Sequence, residues 1–410
     1  MYDPTFGSVP LARQLRKLDF SKQPALRNPV FKEAMVERAV NVAREGFTSL
    51  PLDSADRAGR RIYQVNDLAS DLVLRKAAQN LRRITGAKQS SRIEIVRRLK
   101  LLCEEGLPFA VAKMDIKGFY PSIDQQALLG LIGRRLLTAP STRTVLKSFI
   151  TQCNAHAVSG LPPGLAVSAE LSEFYMQNFD FEMRGNLTAH YFARYVDDIV
   201  IVMPPADSVK AIKKKIEGAL PDGLRLNHTK SRVYNFGGNK SSKPSVEHSF
   251  EYLGFRFNVF QPSKERPHVR KVELDIATSK VKRSKTRIVR SLLRYLADGN
   301  FEDLRDRVRI LTCGYQFFDE RRQSRQSAGL QHTYSLIESD APGLVELDRF
   351  LQAMVLSDVG PICGRLRLCL SGHQKKQILS HSFYTGFENK VNFRFSADRL
   401  AHLVECWKYA

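Results

Sequence analysis

The sequence predicts an α+β fold, because short strand-like apolar runs alternate with longer segments of helical periodicity. Two runs rich in β-branched and aromatic residues flank the acidic break Tyr-Val-Asp-Asp at 195–198, which predicts a β-hairpin. A third apolar run, at 109–116, predicts a buried strand that ends close to Asp115. After residue 262 arginine and leucine dominate and glycine is sparse, which predicts a mainly helical C-terminal part.

The composition of the chain favours nucleic acid as a partner. Its 410 residues suffice for two or three domains, and 64 Lys and Arg against 42 Asp and Glu give a formal net charge of +22. Such an excess suits a polyanion, with nucleic acid ahead of a membrane surface. No apolar run approaches the ~20 residues that a membrane span requires, and the N-terminus lacks a signal-peptide pattern. We therefore expect a cytoplasmic protein without a membrane partner.

The region before the strand at 109–116 is predicted to be mainly helical. Hydrophobic periodicity predicts a short strand at 63–65 and helices over 31–45, 67–85 and 92–105. The last two helices carry basic residues between their apolar positions, among them Arg75, Lys76 and Arg92. Any one of these cations is more often a solvated surface group than a nucleotide contact.

The middle of the chain alternates helices with turns. Asp124 is suited to cap the helix that follows it, which is predicted to run to residue 137. A stiff Gly-Leu-Pro-Pro-Gly turn at 160–164 precedes a helix predicted over 166–179. Two further elements are a helix over 209–220 and a β-segment over 250–260.

A strongly basic helix is predicted over 278–297. Its cations include Lys280, Arg283, Arg287 and Arg290. A helix that follows a nucleic-acid duplex requires such phosphate contacts, and its affinity then falls steeply with salt. Further helices are predicted over 301–318, 344–356, 374–386 and 397–408.

Three aspartates are the candidate metal-binding residues. Asp197 and Asp198 are adjacent at the tip of the predicted hairpin, where two carboxylates repel each other. Mg²⁺ binds carboxylate and phosphate oxygens, although an Asp-Asp pair is also common in plain polar turns. Asp115 ends another predicted strand, and two neighbouring strands that each end in an acid can hold two metal ions for phosphoryl transfer.

Five segments resemble, in order and in spacing, motifs A to E of reverse transcriptases. They are DIKGFYPSI at 115–123, LPPG at 161–164, YVDD at 195–198, NHTKS at 227–231 and YLGF at 252–255. Five such motifs in order are far more specific than one. The wording Phe-Tyr-Pro-Ser-Ile resembles the retron, abortive-infection and other defence-associated reverse transcriptases of bacteria.

The resemblance implies a right-hand polymerase with fingers, a βαββ palm built on an antiparallel sheet, a helical thumb and a helical C-terminal extension. The implied domains are an N-terminal region with fingers at 1–108, a palm with motifs A to E at 109–262, a thumb at 263–320 and the extension at 321–410. No ribonuclease H, endonuclease or maturase pattern is recognisable, which favours a stand-alone bacterial enzyme.

The resemblance also assigns roles at the centre of the site. Asp115, Asp197 and Asp198, with the backbone carbonyl of Ile116, would bind two Mg²⁺ ions, with Mn²⁺ as the alternative ion. Lys230 would donate a proton to the leaving pyrophosphate. The implied catalytic set is therefore Asp115, Asp197, Asp198 and Lys230.

Further residues are assigned around that centre. Tyr120 occupies the position of the steric gate, whose ring clashes with a ribose 2′-hydroxyl, although packing beneath motif B is the alternative. Gly164 would bring its backbone close to the nascent base pair, and Pro163 departs from the polar residue that the family usually carries there. The other assignments are Arg92 and Lys76 near the incoming triphosphate, Arg75 near the template, and Tyr252, Leu253 and Gly254 in the primer grip.

These features predict an RNA-directed DNA polymerase that makes DNA from dNTPs on an RNA template. The group that the chain resembles implies antiphage defence with a partner non-coding RNA encoded nearby. The C-terminal helices are a place to hold a second copy of the chain or another protein. Two alternatives stay open, namely protein-primed or template-independent DNA synthesis and a catalytically idle RNA-binding scaffold. The three carboxylates argue against the scaffold.

Overall fold

The structure is a computed structural model that describes residues 2–57, 59–86, 90–137, 139–185, 189–205, 208–319 and 324–408. The chain divides into two units, residues 1–92 with 108–237 and residues 93–107 with 238–410. The helices are α1 (Ser8–Ala12), α2 (Lys17–Lys22), α3 (Pro29–Glu45), α4 (Leu68–Thr85), α5 (Arg92–Cys103), α6 (Phe119–Ser122), α7 (Gln125–Arg135), α8 (Pro140–Ala155), α9 (Ala166–Gly185), α10 (Val209–Ala219), α11 (Thr278–Asp298), α12 (Phe301–Thr312), α13 (Leu330–Thr333), α14 (Pro342–Leu356), α15 (Pro361–Cys369), α16 (Gly372–Leu379), α17 (Phe383–Glu388) and α18 (Ala397–Val404). The strands are β1 (Leu52–Arg57), β2 (Arg60–Val65), β3 (Phe109–Asp115), β4 (Tyr191–Tyr195), β5 (Asp198–Met203), β6 (Arg232–Phe236), β7 (Val246–Tyr252), β8 (Phe255–Phe260), β9 (Val272–Ile276), β10 (Gly314–Asp319), β11 (Ser324–Gly329) and β12 (Asn392–Arg394).

An antiparallel sheet of order β4-β5-β3-β6 lies at the centre of the first unit. Its inner strand β3 is buried almost throughout, which explains why the sequence shows a continuous apolar run there instead of an alternation. Phe149 of α8 and Phe174 of α9 are fully buried in the core that includes Ala112 and Met114 of β3. The predicted α+β class with an antiparallel palm-type sheet is confirmed.

Local signals explain where α7 and α9 begin and end. The Asp124 carboxylate accepts a hydrogen bond from the Ala127 N–H at 2.7 Å, so α7 has the predicted cap. The helix ends at Arg135, slightly before the predicted end. α9 continues past residue 179 to Gly185, because Met183 is still buried one turn beyond the predicted end.

A two-stranded antiparallel sheet, β1–β2, also belongs to the first unit. Only 63–65 was predicted as strand, because β1 reads Leu-Asp-Ser-Ala-Asp-Arg and shows no apolar alternation. The Tyr63 N–H donates to the Pro163 carbonyl oxygen at 2.8 Å, which attaches this hairpin to the 160–164 turn.

The sheet β7-β8-β9 belongs to the second unit. Leu253 and Gly254 form the two-residue turn between β7 and β8 with φ values of 47° and 81°, as a type I′ turn requires. α5 was predicted to lie in the fingers, but residues 93–107 belong to the second unit, where the buried Arg270 donates from Nε to the Glu105 carbonyl at 3.0 Å. The boundaries of fingers, palm and thumb stay a prediction.

α11 is the long basic helix that the sequence predicted. Its buried face, which includes Val281, Ile288 and Leu292, packs against α12, α14 and α15. Neither α11 nor any other helix in the described ranges is long and apolar enough to cross a membrane.

The remainder of the second unit is less helical than predicted. The helix predicted over 301–318 ends at Thr312, and the following residues form β10 in a sheet of order β11-β10-β12. Gly314 explains the break, because its N–H donates to the Val391 carbonyl at 2.9 Å and Asn392 lies where a Cβ would be. The helix predicted over 374–386 is divided into α16 and α17.

The six cysteines are free thiols that differ in exposure. Cys103, Cys153, Cys313 and Cys363 are buried, Cys406 is half-buried, and Cys369 is exposed at the end of α15. Burial raises the pKa of the Cys313 thiol above its ordinary value.

Candidate active site

The acidic hairpin consists of β4 and β5, with Val196 and Asp197 as its turn residues. Val196 has a φ of 58°, a left-handed conformation that β-branched residues rarely adopt. Such strain persists only where surrounding contacts fix the backbone. Arg194 supplies one of these contacts, because its Nη1 donates to the Val196 carbonyl oxygen at 3.1 Å.

Arg194 also fixes the hairpin to α9. Its side chain is 3% exposed and donates to Asp180 at 2.8 Å from both Nε and Nη2, and to Glu173 at 2.7 Å from Nη2. Burial alone lowers the pKa of Arg194, but the contacts with Asp180 and Glu173 raise it above its ordinary value. Sequence reasoning missed this residue, although a cation inside the run Tyr-Phe-Ala-Arg-Tyr was an available signal.

Strand pairing brings Asp115 beside the hairpin. Asp115 lies opposite Asp198 in the register of β3 and β5, and the Ile116 N–H donates to the Asp197 carbonyl oxygen at 3.1 Å. Burial, followed by the charges of Asp197 and Asp115, raises the pKa of Asp198 to about 6. The structure therefore brings together the three aspartates that the sequence singled out.

The 227–231 segment is bonded to both backbone groups of Asp115. The Asn227 N–H donates to the Asp115 carbonyl at 2.7 Å, and the Asp115 N–H donates to the Ser231 hydroxyl at 3.2 Å. Lys230 lies between these anchors, with its Nζ 3.6 Å from Oδ1 of Asp115 and its side chain 63% exposed. This geometry presents a lysine ammonium group directly beside the carboxylates.

The donor set at this edge of the sheet fits a hard divalent cation. No group of three His, Cys, Asp or Glu side chains within the described ranges is already arranged around one ion position. Carboxylate and carbonyl oxygens are nevertheless the ligands such ions take, and a cation would offset both the burial of the Asp198 carboxylate and its repulsion by Asp197, which together raise its pKa.

Tyr120 lies between the acidic hairpin and the 160–164 turn. Its ring packs edge-on against Phe119 with centroids 5.3 Å apart, and its hydroxyl is hydrogen-bonded to Ser172 of α9. Burial, together with the nearby charges of Glu173 and Asp197, raises the pKa of Tyr120. The Tyr120 carbonyl oxygen accepts the Leu161 N–H at 2.9 Å.

Gly164 is required by its backbone conformation and by its neighbours within the protein, whereas the prediction was a close approach to the nascent base pair. Its φ is 107°, and an added Cβ would lie 2.7 Å from the Tyr63 carbonyl oxygen and 2.6 Å from the Ile62 side chain. The close neighbour in this structure is therefore the β1–β2 hairpin. Contact with a nascent base pair stays a prediction.

Arg75 and Lys76 have partners within the protein. Arg75 is paired with Asp19 at 2.7 Å, and Lys76 is 2% exposed with its Nζ donating to the Asp3 carbonyl. These contacts argue against the predicted roles near template and triphosphate, because each cation is already satisfied. Arg92 is half-buried at the start of α5, and its role stays a prediction.

The residues assigned to primer and duplex belong to the second unit. Tyr252 is 1% exposed, so the turn at Leu253 and Gly254 offers mainly backbone groups. On α11, Arg283 is exposed, and Lys280 and Arg290 are half-buried.

Arg287 departs from the basic surface predicted for α11. Its guanidinium group lies 5.6 Å from the centre of the Trp407 ring, and burial followed by the charge of Arg283 lowers the pKa of Arg287. Packing is the role that these contacts support.

The carboxylates at the ends of adjacent strands lie on an antiparallel sheet of the palm type. Residues 68–257 match the family model described as "Reverse transcriptase (RNA-dependent DNA polymerase)". This segment contains all five motif-like segments, so this part of the chain is similar to reverse transcriptases.

A solved structure described as "Structure of apo telomerase from Candida Tropicalis truncated from C-terminal domain" is similar to this chain, with 15% sequence identity and a TM-score of 0.34. The alignment covers 52% of this chain and 53% of the telomerase chain, so the chain spans about half the length of that structure. No curated protein matches the chain.

Proposed function

We propose that the chain synthesises DNA from dNTPs on an RNA template. The observation that carries the proposal is Asp115 opposite Asp198 at the ends of β3 and β5, within the matched domain. Asp115, Asp197, Asp198 and the Ile116 carbonyl would hold two Mg²⁺ ions, or Mn²⁺ in their place, which when bound stabilise charge on the transferred phosphate and lower the pKa of the primer hydroxyl.

Lys230 is the proposed proton donor to the leaving pyrophosphate. Its ammonium group is 3.6 Å from Asp115 and exposed, so it can reach a triphosphate bound beside that carboxylate. The backbone on either side of Lys230 is anchored to Asp115, which keeps the side chain within reach.

Tyr120 is the proposed steric gate. Its ring is fixed by Phe119 and Ser172 next to the acidic hairpin, where the sugar of a nucleotide beside Asp115 would lie. An aromatic ring fixed there excludes a 2′-hydroxyl by overlap and so favours dNTPs.

The partners we propose are a template RNA, the DNA product and a non-coding RNA encoded nearby, in the bacterial cytoplasm. The net charge of +22 and the Phe-Tyr-Pro-Ser-Ile segment, which resembles defence-associated enzymes, support this role. We further propose that DNA synthesis protects the host from phage, with the C-terminal helices as the place for a second copy or another protein.

The first test is primer extension on annealed RNA–DNA with Mg²⁺ and dNTPs. Replacing Asp197 and Asp198 together by Ala should lower the rate by about 1,000-fold or more, since several kcal/mol of charge stabilisation are lost. Asp222→Ala, an exposed acid of the same unit, is the matched control and should retain the wild-type rate. A folded double variant with the wild-type rate would contradict the assignment, and synthesis without template would favour the template-independent alternative.

The second test measures plaquing efficiency on cells that carry the gene with its flanking DNA. Protection should be present with the wild type and absent with Asp197→Ala expressed at the same level. Equal plaquing across a broad phage panel would remove the defence role and leave the polymerase role in place.

A further inference from the structure

The 158–164 loop is held on two sides within the first unit. On one side the Leu161 N–H donates to the Tyr120 carbonyl at 2.9 Å. On the other side the Pro163 carbonyl accepts the Tyr63 N–H of β2 at 2.8 Å. The loop is therefore the part of the backbone that links the β1–β2 hairpin to the proposed gate.

Gln125 fastens this loop to the first turn of α7. Its Nε2 donates to the Val158 carbonyl at 2.9 Å and to the Gly160 carbonyl at 2.6 Å, so both amide hydrogens are used on the loop. The adjacent Gln126 is exposed and contacts none of these groups in the described structure.

The 158–164 loop packs tightly against the backbone at Tyr120. A Cβ on Gly160 would lie 2.1 Å from the Tyr120 carbonyl oxygen and 2.7 Å from the Pro121 carbonyl carbon, so the two backbones are in direct contact. A loop that moved away from Gln125 would withdraw the Leu161 N–H from Tyr120. The ring would then lose part of the support that fixes it beside the hairpin.

We propose that Gln125 is a positioning residue that sets the sugar selectivity of the polymerase by holding the 158–164 loop against Tyr120. The inference rests on the proposed function, since it concerns the same nucleotide site. In this proposal the Gln125 amide, which is not one of the metal-binding carboxylates, determines how closely the Tyr120 ring can approach the 2′-hydroxyl of a nucleotide.

The experiment compares single-nucleotide incorporation of dNTP and rNTP by Gln125→Met, Gln125→Glu and wild type. Met keeps the length of the Gln125 side chain but has no N–H donor. Glu replaces the donating amide by a carboxylate that faces the Val158 and Gly160 carbonyl oxygens. We expect rNTP discrimination to fall by about fivefold or more with Met, the size that the loss of one or two hydrogen bonds supports, and further with Glu. The change should appear mainly in the KM for rNTP. Tyr120→Ala gives the upper limit.

Gln126→Met and Gln126→Glu are the matched controls and should keep wild-type discrimination. Amide hydrogen exchange across 156–165 should rise in the Gln125 variants and stay unchanged in the Gln126 variants, and melting temperatures identify any variant that fails to fold. A folded Gln125→Met with unchanged discrimination, or with an equal loss of kcat/KM for both sugars, overturns the inference and leaves the polymerase intact. Wild-type protein without DNA synthesis overturns the proposed function and this inference together.

Discussion

Arg194 shows how one side chain stabilises a strained turn. Its guanidinium group joins the Val196 carbonyl to two carboxylates of α9 while it is itself almost completely buried. Removing one partner of a buried ion pair leaves uncompensated charge, which costs about 3–5 kcal/mol. The position of Asp197 and Asp198 on the hairpin therefore depends on a residue that need not touch substrate.

We predict that Arg194→Met lowers the free energy of unfolding by about 3–5 kcal/mol, because Asp180 and Glu173 are left without their cation. Urea unfolding followed by circular dichroism measures the change. Arg225→Met, at an exposed position of the same unit, should shift the unfolding free energy by less than about 0.5 kcal/mol. Equal losses in the two variants would show that Arg194 has no special structural role.

The placement of the acidic residues follows from the sequence more directly than the placement of the basic ones. Asp115 and Asp198 stand at strand ends next to apolar runs, so their placement follows from the local pattern. Lys76 and Lys230 look alike in sequence, but one is enclosed by the N-terminal segment and the other is exposed. That difference depends on contacts between residues far apart in the chain, which a local pattern does not contain.

Among the elements, several long periodic helices were predicted, whereas the helix α8 and the polar or short strands were not. α4 and α11 follow their apolar spacing, and β3 and β5 follow their β-branched runs. β1 and β10 were missed because their pairing with β2, β11 and β12 decides their structure. Polar segments of this kind form strands because they pair with neighbouring strands, and their own sequence does not show it.

We predict that the exposed face of α11 contributes to nucleic-acid binding through Lys282 and Arg283, which are both exposed. Replacing both by Gln should reduce the slope of log affinity against log salt by roughly 1.4–1.8, since each phosphate contact contributes about 0.7–0.9. Fluorescence anisotropy over a salt series gives the slope. Lys264→Gln, an exposed loop variant, is the control, and a double variant with the wild-type slope would mean that this face is only solvated.

At the scale of the whole molecule, the second unit is stabilised by a charged cluster that joins distant parts of the chain. The buried carboxylate of Asp303 on α12 pairs with Arg399 at 2.5 Å and His402 at 2.7 Å, both on α18. Burial raises the pKa of Asp303, but the hydrogen bonds from His402 and Arg399 outweigh it and lower that pKa below its ordinary value. The ionised carboxylate therefore stabilises the folded state.

A carboxylate whose pKa is lowered by folding contributes stability at pH values above its unfolded pKa of ~3.9, and this contribution is lost as the pH falls through the folded pKa. We predict that Asp303→Asn lowers the unfolding free energy at neutral pH by roughly 1.5–3 kcal/mol and has less effect at acidic pH. Trp407 is the single tryptophan of the chain and is buried in this unit, so its fluorescence reports the unfolding. Asp358→Asn removes the exposed ion pair with Arg367 and should change the unfolding free energy little. If Asp358→Asn lowered the unfolding free energy as much as Asp303→Asn, the role of burial would be refuted.

The uneven burial of the six thiols provides a chemical handle on the molecule. Maleimide reagents attack thiolates, and buried thiols with raised pKa values react slowly. Brief treatment at neutral pH should therefore place a fluorophore on Cys369 first, with the half-buried Cys406 next. A dye at the end of α15 would report on the second unit from the native sequence, without any cysteine having to be added or removed.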